Sequence, residues 1–436
     1  MNNSLEFKLN RIFSWFFLYT FINIFIKGSN SLFILFLASI LTPSEYADFG
    51  ILFALQLGMT SFGIVGILEN TTSRLKTHNS VHRLSVLFRR MSGLTIISMF
   101  CSLIALIPFI YILVRVEYNV IAFIAITLGA INSFAIMQAA FLRLENKHFR
   151  SLFFNGVIPF CSLLGLSFGV WFTKEIGSIF TFGLVGAFIP LLLLIFKRIT
   201  YIGPLPRINR SIKESVAFAP FLIMAIFGWL SGYGMNFFID FKFESKHVAS
   251  FTLIFTIASI CQLLANSLNM VWGPHFYKMF CDKNMVYAED LNKFFYTLLA
   301  LTLGITGFIL VALLPWVFNE IGGQLGRYAG FRLELSLLII GYILCIPWWS
   351  GQNYYIVAGY NSEFMRLSIF SCALGLILWI SCMLALGPVG IFVGFTFQMV
   401  VKSVTMWICC NRHWHLRPPI FSIILACGLV CSGLLF

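Results

Sequence analysis

Charged residues are scarce in this chain, and acidic residues are the scarcest. Of 436 residues, 10% are charged and 59% are hydrophobic, with 16 Asp and Glu against 29 Lys and Arg. A soluble domain carries about 25% charged residues, so this composition excludes a soluble enzyme or binding domain. Together with a mean hydropathy of +0.92, it predicts a polytopic membrane protein, whose element lengths are set by the bilayer.

The chain also lacks the motifs of common enzymes and ATP-driven pumps. It has no phosphate-binding glycine loop, no HExxH motif and no DxD pair in a suitable context,. The longest predicted external loop, near 318–332, has about 15 residues,, which leaves no room for a soluble catalytic domain. The prediction is therefore a transporter and not an enzyme, without cofactor or metal. Uphill transport would then use an ion gradient, of H⁺ or Na⁺, or downstream consumption of the substrate.

Apolar stretches of the length that crosses a bilayer as a helix recur along the chain. The predicted spans are 14–40, 47–69, 91–114, 119–141, 152–172, 177–196, 216–239, 248–271, 295–317, 333–357, 367–386 and 389–410. A thirteenth apolar segment, 420–436, is shorter, and it can span, lie in the interface or pack on the bundle. The predicted fold class is an all-α polytopic membrane protein with about 12 transmembrane helices.

The distribution of basic residues predicts the orientation and the domains. Of 29 Lys and Arg, 21 fall on one side of these spans and 6 on the other, so the N-terminus is predicted to be cytoplasmic. Because the basic residues separate apolar runs, they indicate topology and not nucleic-acid binding. The predicted domains are a six-helix bundle over 1–200, a basic cytoplasmic linker over 201–215, a second six-helix bundle over 216–410, and a cytoplasmic turn with a short apolar segment over 411–436.

Polar residues recur at helical spacing inside three predicted spans. At positions i, i+4 and i+7 these are Asn23, Lys27 and Asn30 in span 1, Gln262, Asn266 and Asn269 in span 8, and Gln398, Lys402 and Thr405 in span 12. An ammonium at the bilayer centre costs about 2.5–3.5 kcal/mol, so such a face turns away from lipid. We predict that these faces line a solute pathway with Lys27 as a positive charge; the alternative is that Lys27 snorkels or pairs structurally. Amides and hydroxyls suit sugar hydroxyls, and Lys suits phosphate.

Several short stretches resemble the bacterial polysaccharide transporter family. Leu41-Thr42-Pro43-Ser44-Glu45-Tyr46-Ala47-Asp48-Phe49 is similar to the segment after its first span, and Val271-Trp272-Gly273-Pro274 to the proline after span 8. Pro220 to Asp240 resembles its seventh span, and Arg143–Lys147 its basic turn after span 4; Asp240-Phe241-Lys242 departs from the usual acidic-basic pair. The likeness is to the O-antigen flippase (Wzx-type) branch of the superfamily that includes the MATE exporters and the peptidoglycan precursor flippases.

This resemblance implies two MATE-like six-helix bundles around a cationic cavity in the bacterial inner membrane. It implies a flippase that moves an undecaprenyl-pyrophosphate-linked oligosaccharide, of O-antigen or a similar surface polysaccharide, from the cytoplasmic to the periplasmic leaflet by alternating access. Lys27 and Lys402 would face the diphosphate, and the predicted substrate-binding set is Lys27, Asn23, Asn30, Lys402, Gln398, Gln262, Asn266 and Asn269. The partners would be the lipid-linked glycan, membrane lipid, and the polymerase and chain-length regulator of the same pathway.

Two other functions remain open from the sequence. A MATE-like exporter of small cations usually needs an acidic residue within the membrane, and the predicted spans show none clearly. A membrane-embedded O-antigen polymerase or ligase would typically carry a long external loop, which this chain lacks. The identity of the glycan, the coupling ion and the oligomeric state are not determined by these patterns.

Overall fold

The structure is a computed structural model that describes residues 25, 28–63, 81–113, 119–145, 147–196, 222–281 and 285–436. Every regular element in these ranges is helical, and they contain no strand. Nine of these helices are long and apolar enough to cross a membrane, and one bent pair makes a tenth candidate. The predicted fold class, an all-α polytopic membrane protein, is confirmed.

The helices are labelled in chain order. The first nine are α1 (Gly28–Ile40), α2 (Pro43–Phe62), α3 (Val81–Leu113), α4 (Asn119–Leu144), α5 (His148–Leu152), α6 (Ile158–Phe172), α7 (Ile176–Phe196), α8 (Leu222–Leu230) and α9 (Met235–Lys242). The remaining ones, apart from the one-turn helix Gly323–Gly326, are α10 (Ser245–Cys281), α11 (Met285–Ile321), α12 (Arg332–Leu344), α13 (Ile346–Ala358), α14 (Asn361–Leu386), α15 (Pro388–Cys410) and α16 (Ile420–Ser432). Helices dominate because a spanning segment must satisfy its backbone hydrogen bonds internally.

Three spans are interrupted, each near a residue that disfavours a regular helix. A π-helical turn, Phe153–Val157, joins α5 to α6 just before Pro159, whose ring nitrogen cannot donate to the preceding turn. Helices α8 and α9 meet at 43° across a four-residue turn that contains two glycines. A single residue, Cys345, separates α12 from α13, and Pro347 lies in the first turn of α13.

The chain divides into two compact units. Of the described residues, the first unit holds those up to Phe33 and the range Ser44–Phe241, and the second holds Ile34–Pro43 and Lys242–Phe436. The predicted linker over 201–215 lies outside the described residues. The division into two bundles of six helices therefore stays a prediction.

In the first unit, both arms of the bent pair α8–α9 are bonded to α2. Before the turn, the indole nitrogen of Trp229 donates to the carbonyl of Ala54 at 2.8 Å, with its ring against Gly58. After the turn, the amide nitrogen of Asn236 donates to the carbonyl of Gly50 at 3.1 Å. The bend is therefore fixed by two side-chain bonds to the backbone of a single neighbouring helix.

Helices α6 and α7 approach each other closely through glycines. A Cβ atom on Gly165 would lie 2.1 Å from the carbonyl oxygen of Phe182, and one on Gly186 would lie 2.3 Å from that of Cys161. Small residues permit such backbone contact, which supplies much of the packing energy between helices in lipid.

Gly165→Ala is expected to destabilise the protein by about 1–3 kcal/mol, as overpacking of a tight interface does. The added methyl group would meet backbone, which cannot yield as a flexible side chain can. The control is Gly428→Ala in α16, where an added Cβ has no neighbour within 4 Å. The thermal midpoint of the detergent-purified protein measures both; equal midpoints for the two variants would contradict the close packing of α6 and α7.

The segment 420–436 forms α16 and a short 3₁₀ turn, and it packs along α11. Gly304 of α11 faces Ala426, and Gly307 faces Val430. The ring centroids of Phe308 and Phe436 lie 5.8 Å apart. Because the residue numbers rise together on both helices, α16 runs parallel to α11. The segment therefore packs on the bundle, with a helix shorter than the spanning ones, and its crossing of the membrane stays a prediction.

Candidate functional site

One row of residues on α15 packs against α14 in the second unit. A Cβ on Gly390 would lie 2.1 Å from the carbonyl oxygen of Cys382, and one on Gly394 would lie 2.4 Å from the ring of Trp379. Gln398 continues this row one turn further on. It packs against Gly375 of α14, where an added Cβ would lie 2.5 Å from the Cγ of Gln398. Lys402 follows after four more residues and so lies on the same side of α15.

Gln398 is fully buried in this packing. Its exposed fraction is 0%, and neither its amide oxygen nor its amide nitrogen has a hydrogen-bond partner within the described structure. Most buried polar atoms in proteins are paired. An amide left unpaired at the centre of a helix–helix contact is therefore unusual, and it lies one helical turn from the only lysine of α15.

Lys402 lies beside the break between α12 and α13. Its ammonium is within electrostatic range of the Cys345 thiol, and Cys345 is the residue between the two helices. The neighbouring Ser403 donates its hydroxyl to the carbonyl of Leu344 at 2.5 Å, which satisfies a carbonyl at the end of α12.

Lys402 forms no ion pair with any of the described residues. Its side chain is half-buried, and it lies about three residues from the middle of a 23-residue helix. The described acidic residues of the second unit lie near helix ends and are Glu244, Glu289, Asp290, Glu320, Glu334 and Glu363. The candidate site is thus a partly buried cation that no carboxylate neutralises in the described part of its unit.

The polar face predicted on α10 contains three differently placed side chains. Gln262 is exposed and Asn266 is half-buried, and neither has a hydrogen-bond partner among the described residues. Asn269, by contrast, accepts a hydrogen bond from the hydroxyl of Tyr296 and one from Asn353 at 3.4 Å. The first two can bind a solute, whereas the oxygen of Asn269 already has two donors.

Gln262 and Lys402 lie at similar depth in the second unit. The ring of Phe251 on α10 packs against that of Phe392 on α15, with their centroids 6.1 Å apart. The ring centroids of Phe255 and Phe395 lie 5.7 Å apart. Because the residue numbers rise together, the two helices run parallel. Extending this alignment by two turns places Gln262 level with Lys402, near the middle of both spans.

The other predicted site residues lie on α1 or before it. Asn30 is half-buried on α1. Asn23 and Lys27 lie outside the described residues, so the predicted role of Lys27 as a positive charge of the pathway stays a prediction. The structure brings Gln398 and Lys402 together on one side of α15 and places Gln262 at their depth.

A buried polar network among α10, α11 and α13 of the same unit was not predicted from the sequence. The Trp272 indole donates to the amide oxygen of Asn292 at 2.7 Å, and the Asn292 amide donates to the hydroxyl of Ser350 at 2.8 Å. The hydroxyl oxygen of Tyr296 also lies 2.9 Å from the carbonyl oxygen of Trp349, so this carbonyl and the Asn269 oxygen share its single proton. These bonds tie α10, α11 and α13 together. Asn292 was missed because it lies in a predicted loop, and the structure instead extends α11 back to Met285.

Asp48 is a second residue that the sequence interpretation missed. It lies five residues inside α2 and is only 8% exposed, whereas the predicted intramembrane groups were amides, hydroxyls and ammonium groups. The sequence signal was present, since Asp48 follows Pro43-Ser44-Glu45-Tyr46-Ala47 at the start of a span. A buried carboxylate is the feature that the cation-exporter alternative requires.

These features define an all-α polytopic membrane protein with the fold of the MATE transporters and of a lipid II flippase. The lipid II flippase MurJ, in an inward closed conformation, superposes with a TM-score of 0.68 at 15% identity, over 96% of this chain and 91% of that chain. A mutant of the MATE transporter VcmN from Vibrio cholerae gives 0.61 at 13% identity, over 94% and 98%. No protein-family model matches the chain, and no curated protein is significantly similar in sequence. At these identities the likeness shows the fold.

Proposed function

We propose that the protein is a flippase for a lipid-linked oligosaccharide in the bacterial inner membrane. It moves an undecaprenyl-pyrophosphate-linked repeat unit, of O-antigen or a similar surface polysaccharide, from the cytoplasmic to the periplasmic leaflet by alternating access. The observation that carries this proposal is the half-buried ammonium of Lys402, near the middle of a span and without a carboxylate partner among the described residues.

The chemistry of such a substrate complements these side chains. A diphosphate presents several anionic oxygens, which a lysine ammonium binds through charge-assisted hydrogen bonds. The unpaired amides of Gln262 and Asn266 offer both donors and acceptors to sugar hydroxyls, and Gln262 lies at the depth of Lys402. The polyprenyl tail would remain in the lipid while the polar headgroup crosses the membrane.

The fold supports the same class of function. The two compared proteins are called a lipid II flippase and a MATE transporter, so transport and a lipid substrate both fit this architecture. Lys27, Asn23 and Asn30 of the N-terminal half belong to this proposal as further predicted substrate-binding residues. Coupling to an H⁺ or Na⁺ gradient, and cooperation with a polymerase and a chain-length regulator, belong to this proposal as well.

A second candidate, a MATE-like exporter of small cations, is favoured by one observation. The buried carboxylate of Asp48 could bind a cationic solute or a coupling ion, because burial strengthens electrostatic interactions. A strain that carries Asp48→Asn separates the two functions. Cation export would be lost with surface polysaccharide intact if the protein were such an exporter.

The test of the flippase proposal is the leaflet on which lipid-linked repeat units accumulate. In a strain that lacks the protein, we expect complete single repeat units on the cytoplasmic leaflet, inaccessible to periplasmic enzymes. Single units that reach the periplasmic leaflet but stay unpolymerised would instead indicate a polymerase, and they would overturn the proposal.

A further inference from the structure

The half of the α14–α15 contact that lies away from the connection at Gly387 contains polar atoms without a hydrogen-bond partner among the described residues. Besides the amide of Gln398, the hydroxyl of Ser368 on α14 is unpartnered and only 2% exposed. The alignment set by Gly375 and Gln398 places Ser371 opposite Lys402 and Ser368 one turn beyond. The lysine therefore lies between an unpaired amide and an unpaired hydroxyl.

Bulk solvent does not reach these atoms. Gln398 has no exposed surface, and its amide atoms and the Ser368 hydroxyl are enclosed by protein. A buried water needs both room and two or more polar partners, and the close contact of Gln398 with Gly375 leaves little room. The Lys402 side chain is a mobile donor on the same side of α15, and its four-carbon stem can reach a residue one turn away on its own helix.

We propose that Gln398 and Ser368 form an internal docking site for the Lys402 ammonium. In the docked state, which an anionic substrate competes against, the ammonium donates to the Gln398 amide oxygen or, one turn to the other side, to the Ser368 hydroxyl oxygen. In the arrangement that the structure shows, the ammonium is withdrawn from these acceptors and its side chain is half-buried. Gln398 and Ser368 are thus positioning residues that act through Lys402.

This inference rests on the proposed function and adds a reset step to it. An anionic headgroup must compete with the internal acceptors for the lysine, so substrate binding withdraws the ammonium and substrate release lets it return. Only the withdrawn state binds the substrate. The apparent affinity is therefore reduced in proportion to the fraction of molecules in the withdrawn state. Removing an acceptor is therefore expected to tighten substrate binding while impairing release.

The first test measures the reactivity of Lys402 itself, without any substrate. Purified protein in lipid nanodiscs is reductively methylated, and the rate at Lys402 is followed by peptide mass spectrometry. Gln398→Leu is expected to raise this rate at least threefold, since the amine loses its internal acceptor. Gln398→Glu is expected to lower the methylation rate at least threefold, because a carboxylate would hold the Lys402 ammonium in the docking site and keep it protonated.

The matched control is Thr396→Val, on another side of the same helix. Thr396 donates to the Leu337 carbonyl at 2.8 Å, so this variant also removes a polar group from the packing of α15 but does not face Lys402. Its Lys402 rate is expected to equal that of the wild type, and the exposed Lys246 serves as the internal reference in every sample. If Gln398→Leu does not fold, Ser368→Ala and Gln398→Glu supply the measurement.

The second test measures binding of undecaprenyl pyrophosphate to the same proteins. Gln398→Leu is expected to bind it at least threefold more tightly than the wild type. Unchanged methylation rates at Lys402 in both Gln398 variants would overturn the docking site. Changed rates with unchanged lipid affinity would leave the docking site standing and would count against the diphosphate lipid, and hence against the proposed function.

Discussion

Lys402→Ala is expected to lower the flipping rate of the lipid-linked repeat unit at least tenfold, whereas Lys402→Arg should retain most of it. A hydrogen bond to a charged group contributes about 1.5–3 kcal/mol, and each 1.4 kcal/mol corresponds to about a factor of ten. Arginine keeps the positive charge and also binds phosphate oxygens. The measurement is the rate at which a lipid-linked oligosaccharide becomes accessible on the opposite leaflet of proteoliposomes.

The control for this prediction is another lysine of the second unit. Lys246 pairs with Glu244 at 2.6 Å on the surface, and its side chain is 60% exposed, so Lys246→Ala should leave the rate unchanged, as expected for an exposed pair. A wild-type rate for Lys402→Ala would remove Lys402 from the mechanism. Equal loss in the Ala and Arg variants, with normal folding, would show that the shape of the side chain matters and not its charge.

Asn292→Leu is expected to produce a large loss of stability, about 2–5 kcal/mol. The substitution removes the acceptor of the Trp272 indole and the donor to Ser350, and each buried polar group left unpaired costs about 1–3 kcal/mol. The thermal midpoint of the protein in detergent, followed by tryptophan fluorescence, measures the loss. The exposed Asn411, which accepts only a local bond from the Leu416 amide, gives the comparison Asn411→Ala with a small expected effect.

A mutant cycle distinguishes this explanation from a simple packing defect. If unpaired groups cause the loss, Trp272→Phe and Ser350→Ala should each cost less in the Asn292→Leu background than in the wild type. If the losses in free energy of unfolding were additive, there would be no coupling between the three side chains, and this outcome would contradict the network explanation. Transport should fall with the stability of the second unit, because the network joins helices α10, α11 and α13.

Much of the fold could be predicted from the sequence, because the bilayer imposes a strict length and composition on each span. The prediction of a span over 389–410 agrees closely with α15, Pro388–Cys410. The prediction for 295–317 was too short, since α11 runs from Met285 to Ile321. Its first turns carry charged residues that hydropathy excludes from a span, although the chain remains helical beyond the apolar stretch.

The candidate site could be predicted only in part. Helical spacing grouped Gln262, Asn266 and Asn269 on one face, and the structure gives these three residues different surroundings. The hydroxyl that bonds Asn269 comes from Tyr296 on α11, at a distance in sequence that no local pattern connects. Periodicity states which residues share a side of a helix, but it does not state which neighbour that side meets.

The sequence by itself determined that this is a membrane protein and predicted that two lysines lie within its spans, because the scarcity of charge makes each one conspicuous. Only the tertiary structure decided what surrounds Lys402. It buried Gln398 against Gly375, left its amide unpaired, and placed Lys402 beside the break at Cys345. The physical reason is that hydropathy is a property of each residue, whereas hydrogen bonding and burial depend on the helices that pack around it.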